Sequence, residues 1–192
     1  MIKKARLRKK KMKLEKGEEA EVFMGTYWTI QSAEKWDEIQ RKSYLTGNPN
    51  FIYPEFIEAY QWIMKKMKQK IPSYQGEYPV WLWIDRPDLR KNGHLNPKER
   101  GVLLKINIEE TRVLFSDFEA WHFVLNKWYF DLEDFESDKS DFSQQELEKS
   151  WEKIFDIDFL KQHPNWGAST IQGVTNRIEV NEITLIKEFI AR

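Results

Sequence analysis

Two periodicities run through the apolar positions of this chain. β-Branched and aromatic residues at Tyr27-Trp28-Thr29-Ile30-Gln31 predict a strand, and Ser32 is placed to cap a helix carrying Trp36 and Ile39 toward Gly47. Pro54 suits the first turn of a second helix, where its fixed φ is helical and no N–H is needed. Phe56, Ile57, Tyr60, Ile63, Met64 and Met67 then recur at three- and four-residue spacing until Pro72, a stripe expected in the core. Tyr78 to Ile84 alternates Val80, Leu82 and Ile84 with Trp81 and Trp83. Both faces of such a strand need cover, so it belongs in the centre of its sheet.

After a polar loop containing Pro87, Asn92, Gly93 and Pro97, the segment Gly101 to Ile108 turns Val102, Leu104, Ile106 and Ile108 to one side. Arg112 to Phe115 predicts a further short strand. Ser116 and Glu119 form an S-x-x-E capping pattern, which opens a helix through Trp121, His122, Leu125, Trp128 and Tyr129 and puts Asp117 in its first turn. Trp121 and Trp128 fall on one face of that helix and are expected in the core. Residues 131–142 carry six acids and one Lys, the composition of an exposed loop. A second pattern, Ser143 with Glu146, starts a helix through Leu147, Trp151, Ile154 and Phe155 that ends near Pro164. Ser169 to Val180 and Thr184 to Ile190 read as closing strands. Helices and strands mix without regular alternation, so residues 24–192 are expected to form one α+β domain with a mixed or split antiparallel sheet flanked by helices.

Composition narrows the chemistry. The chain has 192 residues, 41% hydrophobic and 32% charged, enough for one folded core. With no Cys it has no disulfide, thiolate zinc site or cysteine nucleophile. The apolar runs are too short for a membrane span, and no apolar segment follows the basic start, so no membrane partner is expected and cytoplasm is the expected location. A net charge of zero hides an asymmetry. Residues 1–13 hold eight Lys or Arg and no acid, which leaves 23 basic against 31 acidic groups in the rest. Residues 1–23 are therefore expected to be a disordered basic arm, a solvated tail or a contact for nucleic acid. An alternative expectation comes from Lys16-Gly17-Glu18-Glu19, whose purine-rich codons resemble a ribosome-binding site and would put the natural start at Met24.

His94, His122 and His163 are scattered without metal-ligand spacing, so no metal is expected. His122 shares a helix face with Phe118, Leu125 and Tyr129, which suits either a hydrogen-bonded core histidine or a proton-handling group at a pocket mouth. The G-x-S-x-G, P-loop and G-x-G-x-x-G patterns are missing. In Asp85-Arg86-Pro87-Asp88-Leu89-Arg90, Arg86 and Arg90 either clamp a phosphate or carboxylate or pair internally with Asp85 and Asp88. Trp83 beside Arg86 offers a ring face and a guanidinium, a platform for a planar base and its phosphate.

Taken together, Tyr27-Trp28-Thr29-Ile30-Gln31-Ser32, Tyr78-Pro79-Val80-Trp81-Leu82-Trp83, Arg86-Pro87-Asp88-Leu89-Arg90 and the segment Leu114 to Asn126 resemble a bacterial family known only as a domain of unknown function. A weaker resemblance is to the ADP-ribosyltransferase fold, in DNA-targeting toxin-like members. It rests on an early strand and helix, the Pro79-Val80-Trp81 strand, the Ser116-Asp117 turn and a late strand with Gln or Glu. This resemblance implies NAD as substrate, with Thr29, Gln31, Trp83, Arg86 and Arg90 binding it. Gln172, Glu179 and His122 would be the catalytic candidates, a late acid supporting the oxocarbenium-like state of the ribose. Thr29 stands where that fold has Arg or His. The alternative from a different class is a non-catalytic nucleotide- or nucleic-acid-binding module using the same pocket. Its oligomeric state is left open.

Overall fold

The computed structural model describes residues 8–13, 19–133 and 142–192, with the backbone alone for 8–13 and 19–21. Along the chain, strand β1 (Arg8–Lys13) and the long strand β2 (Glu19–Ser32) lead into helix α1 (Ala33–Lys42) and a short strand β3 (Tyr44–Leu45). Helix α2 (Ile57–Lys70), strands β4 (Val80–Trp83), β5 (Arg100–Glu109) and β6 (Leu114–Asp117), and helix α3 (Phe118–Leu125) follow. Helices α4 (Gln144–Trp151) and α5 (Ile157–Gln162) precede strands β7 (Ile171–Thr175), β8 (Ile178–Glu179) and β9 (Ile183–Ile190). One sheet runs in the order β6-β7-β4-β2-β5-β9, with β1 also paired to β2, and β3 pairs with β8 in a second, small sheet. Every pairing is antiparallel, so the chain is an α+β domain, as its irregular element order implies.

Local signals explain most boundaries. The Ser32 hydroxyl accepts the Lys35 N–H at the start of α1, and Ser43 ends that helix in the left-handed region at φ 68°, four residues before Gly47. Pro54 opens a single 3-10 turn from which α2 continues to Lys70. The buried face of α2 is Ala59, Trp62, Ile63 and Met67, whereas Ile57 is exposed, so the core stripe is rotated from the expected one toward Trp62. Ser143 and Glu146 make the reciprocal capping box at α4.

Two expectations are corrected. Asp117, not Ser116, caps α3: its Oδ1 accepts the Ala120 N–H at 3.0 Å, while Ser116 is still in β6, opposite Gln172. Because α3 ends at Leu125, Trp128 lies beyond the helix and is 56% exposed, while Trp121 is 4% exposed. Of the expected arm, residues 1–7 and 14–18 lie outside the described residues. Arg8–Lys13 is a strand that pairs with Glu19–Met24. The proposed acidic loop is described only up to Glu133 and from Phe142.

Helices α2 to α5 pack on one face of the main sheet, and α1 with the small sheet on the other. On the first face Leu114, Val174 and Trp81 meet Trp62, Ile63, Trp121, Val124 and Trp151. On the second, Tyr27, Leu82, Leu104, Ile106 and Val113 pack with Ile39, Leu45 and Ile178. The expected alternation in β4 is therefore real, with Val80 and Leu82 buried on one face and Trp81 on the other. At the far edge, β9 slips register against β5 between Leu103 and Leu104.

Candidate functional site

Strand register builds the site. Lys105 lies opposite Trp28, Trp28 opposite Trp83, Trp83 opposite Gln172 and Gln172 opposite Ser116, in one row across five strands. Directly opposed residues share a face, so these five side chains stand together on the helix-covered side. The Gln172 carboxamide donates to the Ser116 hydroxyl at 3.4 Å, and both groups are buried. Over the middle of the row sits the start of α3, with Phe118 tilted against Trp83 at 5.2 Å between ring centroids. His122 is edge-on to Phe118 and donates from Nδ1 to the Phe118 carbonyl at 3.0 Å. Where β4 ends, the chain turns back so that the Arg86 guanidinium lies over the Trp28 ring, 5.5 Å from its centroid. Arg86 is exposed and has no ion pair among the described residues.

The strands named by the sequence, β2, β4 and β7, are neighbours. They bring together Trp83, Arg86, Gln172 and His122 of the expected residues. Thr29 and Gln31 lie on the opposite face, one residue out of phase with Trp28, with Gln31 Nε2 donating to Thr29 Oγ1 at 2.9 Å. Arg90 makes a two-pronged pair with Asp88, which pulls the Asp88 carboxyl well below its ordinary range. Glu179 stands in the small sheet, where it pairs with Arg177 at 2.6 Å, and is not beside Gln172. Trp28, Lys105, Ser116 and Phe118 join the site without having been named among its expected binding or catalytic residues. Their spacing in sequence gives no sign of it, because cross-strand register brings them there.

The row offers stacking faces, a fixed cation and a second cation at Lys105. Among the described residues no group of three or more His, Asp or Glu could hold a metal, and no helix is long and apolar enough to cross a membrane. No curated protein and no solved structure matches the chain. Residues 26–145, which run from within β2 to the start of α4 and take in most of the row, match a family model, and the chain belongs to that family, described as Domain of unknown function (DUF3841).

Proposed function

We propose that this protein is a non-catalytic module that binds single-stranded nucleic acid, stacking bases on the Trp28–Trp83 strip and holding phosphate with Arg86. The observation that carries the reading is the exposed Arg86 guanidinium over Trp28, one strand from Trp83. Ring faces serve any base, and a guanidinium takes a phosphate oxygen pair, so the combination suits a ligand that repeats base and phosphate. Continuity adds support, since β2, which carries Trp28, runs back into pairing with the basic strand Arg8-Lys9-Lys10-Lys11-Met12-Lys13. The test is fluorescence anisotropy of a labelled oligothymidylate. Arg86→Ala should weaken binding about tenfold or more at unchanged melting temperature, the scale of a hydrogen bond to a charged group. Equal affinity in the variant, or no binding by the wild type at low salt, would refute the reading.

A second reading, an NAD-consuming ADP-ribosyltransferase-like enzyme, draws on the adjacency of β2, β4 and β7 and on Gln172 in the row. It lacks the late acid at that position, because Glu179 is committed to Arg177. Nicotinamide release from NAD by the wild type, abolished in Gln172→Ala, would favour it over the binding module.

A further inference from the structure

A cleft of about 490 Å³ lies between the segment Phe155 to Lys161 and the side of the sheet opposite the aromatic row, which contributes Tyr27, Ile84, Phe115 and Ile171; Glu110, Asp156, Asp158 and Lys161 are also on its wall. We propose that this cleft binds an organic monocation, an ammonium or guanidinium group carried on a flat apolar body. The volume is that of a small-molecule site, and the walls are aromatic and branched aliphatic side chains. Tyr27 is 2% exposed as a residue, and its hydroxyl, which makes no hydrogen bond to any described residue, still reaches solvent. A hydroxyl left open in this way can donate to or accept from whatever occupies the cleft. The charges point to the sign of that occupant. Three carboxylates face one ammonium, and none of the four is in an ion pair among the described residues. Glu110 is close enough that its charge, after burial, helps keep the Tyr27 phenol neutral. A cation beside Glu110 would relieve that unbalanced field while its apolar body lies between Phe115 and Phe155. The Tyr27 ring folds back along its own strand over Gly25, where any Cβ would collide with the phenol, so the sequence reserves this place for the ring.

Isothermal titration of the full chain with phenethylammonium, beside its neutral counterpart phenylethanol, tests the proposal. The amine should bind at millimolar concentration or tighter and the alcohol about tenfold or more weakly, with Glu110→Gln abolishing the difference. Tyr27→Phe keeps the ring and the packing, and should weaken the amine while the melting temperature holds. Equal binding of amine and alcohol would overturn the proposal, as would amine affinity unchanged in both variants or no amine binding at all. Arg86→Ala lies on the other face and should leave amine binding intact, so failure of the nucleic-acid reading is separable from failure here.

Discussion

The two carboxylate oxygens of Asp117 have separate partners: one caps α3 through the Ala120 N–H at 3.0 Å, and the other accepts the indole N–H of Trp166 at 3.5 Å. The side chain is fully buried and joins the start of the helix over the aromatic row to the segment that leads into β7. Asp117→Ala removes a cap worth about 1 kcal/mol and the long hydrogen bond from the partly buried Trp166 indole, a further loss of about 0.5–1.5 kcal/mol. Asp117→Asn retains an oxygen for the cap and should cost less. Urea denaturation of both variants checks the order.

The two tryptophans that share a helical phase in the sequence should behave oppositely. Trp121 packs tilted against Trp81 at 5.0 Å and edge-on to Tyr60 at 6.1 Å, and Trp121→Ala should cost about 3–5 kcal/mol. Trp128→Ala removes a ring that is mostly in solvent, although its backbone carbonyl accepts the Trp151 indole N–H at 2.7 Å. The side-chain change should stay near 0.5 kcal/mol. Comparable losses in the two unfolding curves would contradict the burial described here.

Alkaline pH should destabilise the fold through its tyrosines. Burial, with Glu77 and Tyr78 adding to it, pushes the Tyr74 phenol up from 10.0 to about 12, and burial followed by Glu110 pushes Tyr27 higher still. The folded state thus favours the neutral phenol. The sign follows: this contribution is complete below pH 10 and is lost as pH rises from 10 through 12, where the unfolded chain ionises first. Phenolate absorbance followed together with circular dichroism should show part of the tyrosine signal released only as the fold is lost. Complete ionisation near pH 10 in an intact fold would show that these rings are not buried.

The parts of this fold that a sequence displays are those carried by local chemistry. Ser32 and Ser143 cap where their side chains reach the next turn, and the Val80, Trp81, Leu82, Trp83 alternation places β4 at the centre because both of its faces are apolar. What stayed hidden depends on long-range register. Thr29 and Gln31 look like neighbours of Trp28 in a list, but a strand's two-residue period puts them on the far face. Trp128 kept helical spacing past Leu125, yet the helix had ended, since Lys127 takes φ 57° in the left-handed region. Glu179 is seven residues from Gln172, but the intervening turn moves it into a different sheet.

The register slip of β9 against β5 bears on how the molecule behaves in a crowded solution. β9 is the outer strand, and Leu185, Ile186 and Ile190 are exposed on it, a combination that invites a second chain to add itself edge to edge. An extra residue on one side of a pair tightens the local twist and breaks the even spacing of free N–H and carbonyl groups that an incoming strand must match. Lys187 and Glu188, both exposed beside the slip, put charge where a stacked neighbour would need apolar contact. The irregularity that breaks the sheet's symmetry thus works against edge-to-edge addition at this border.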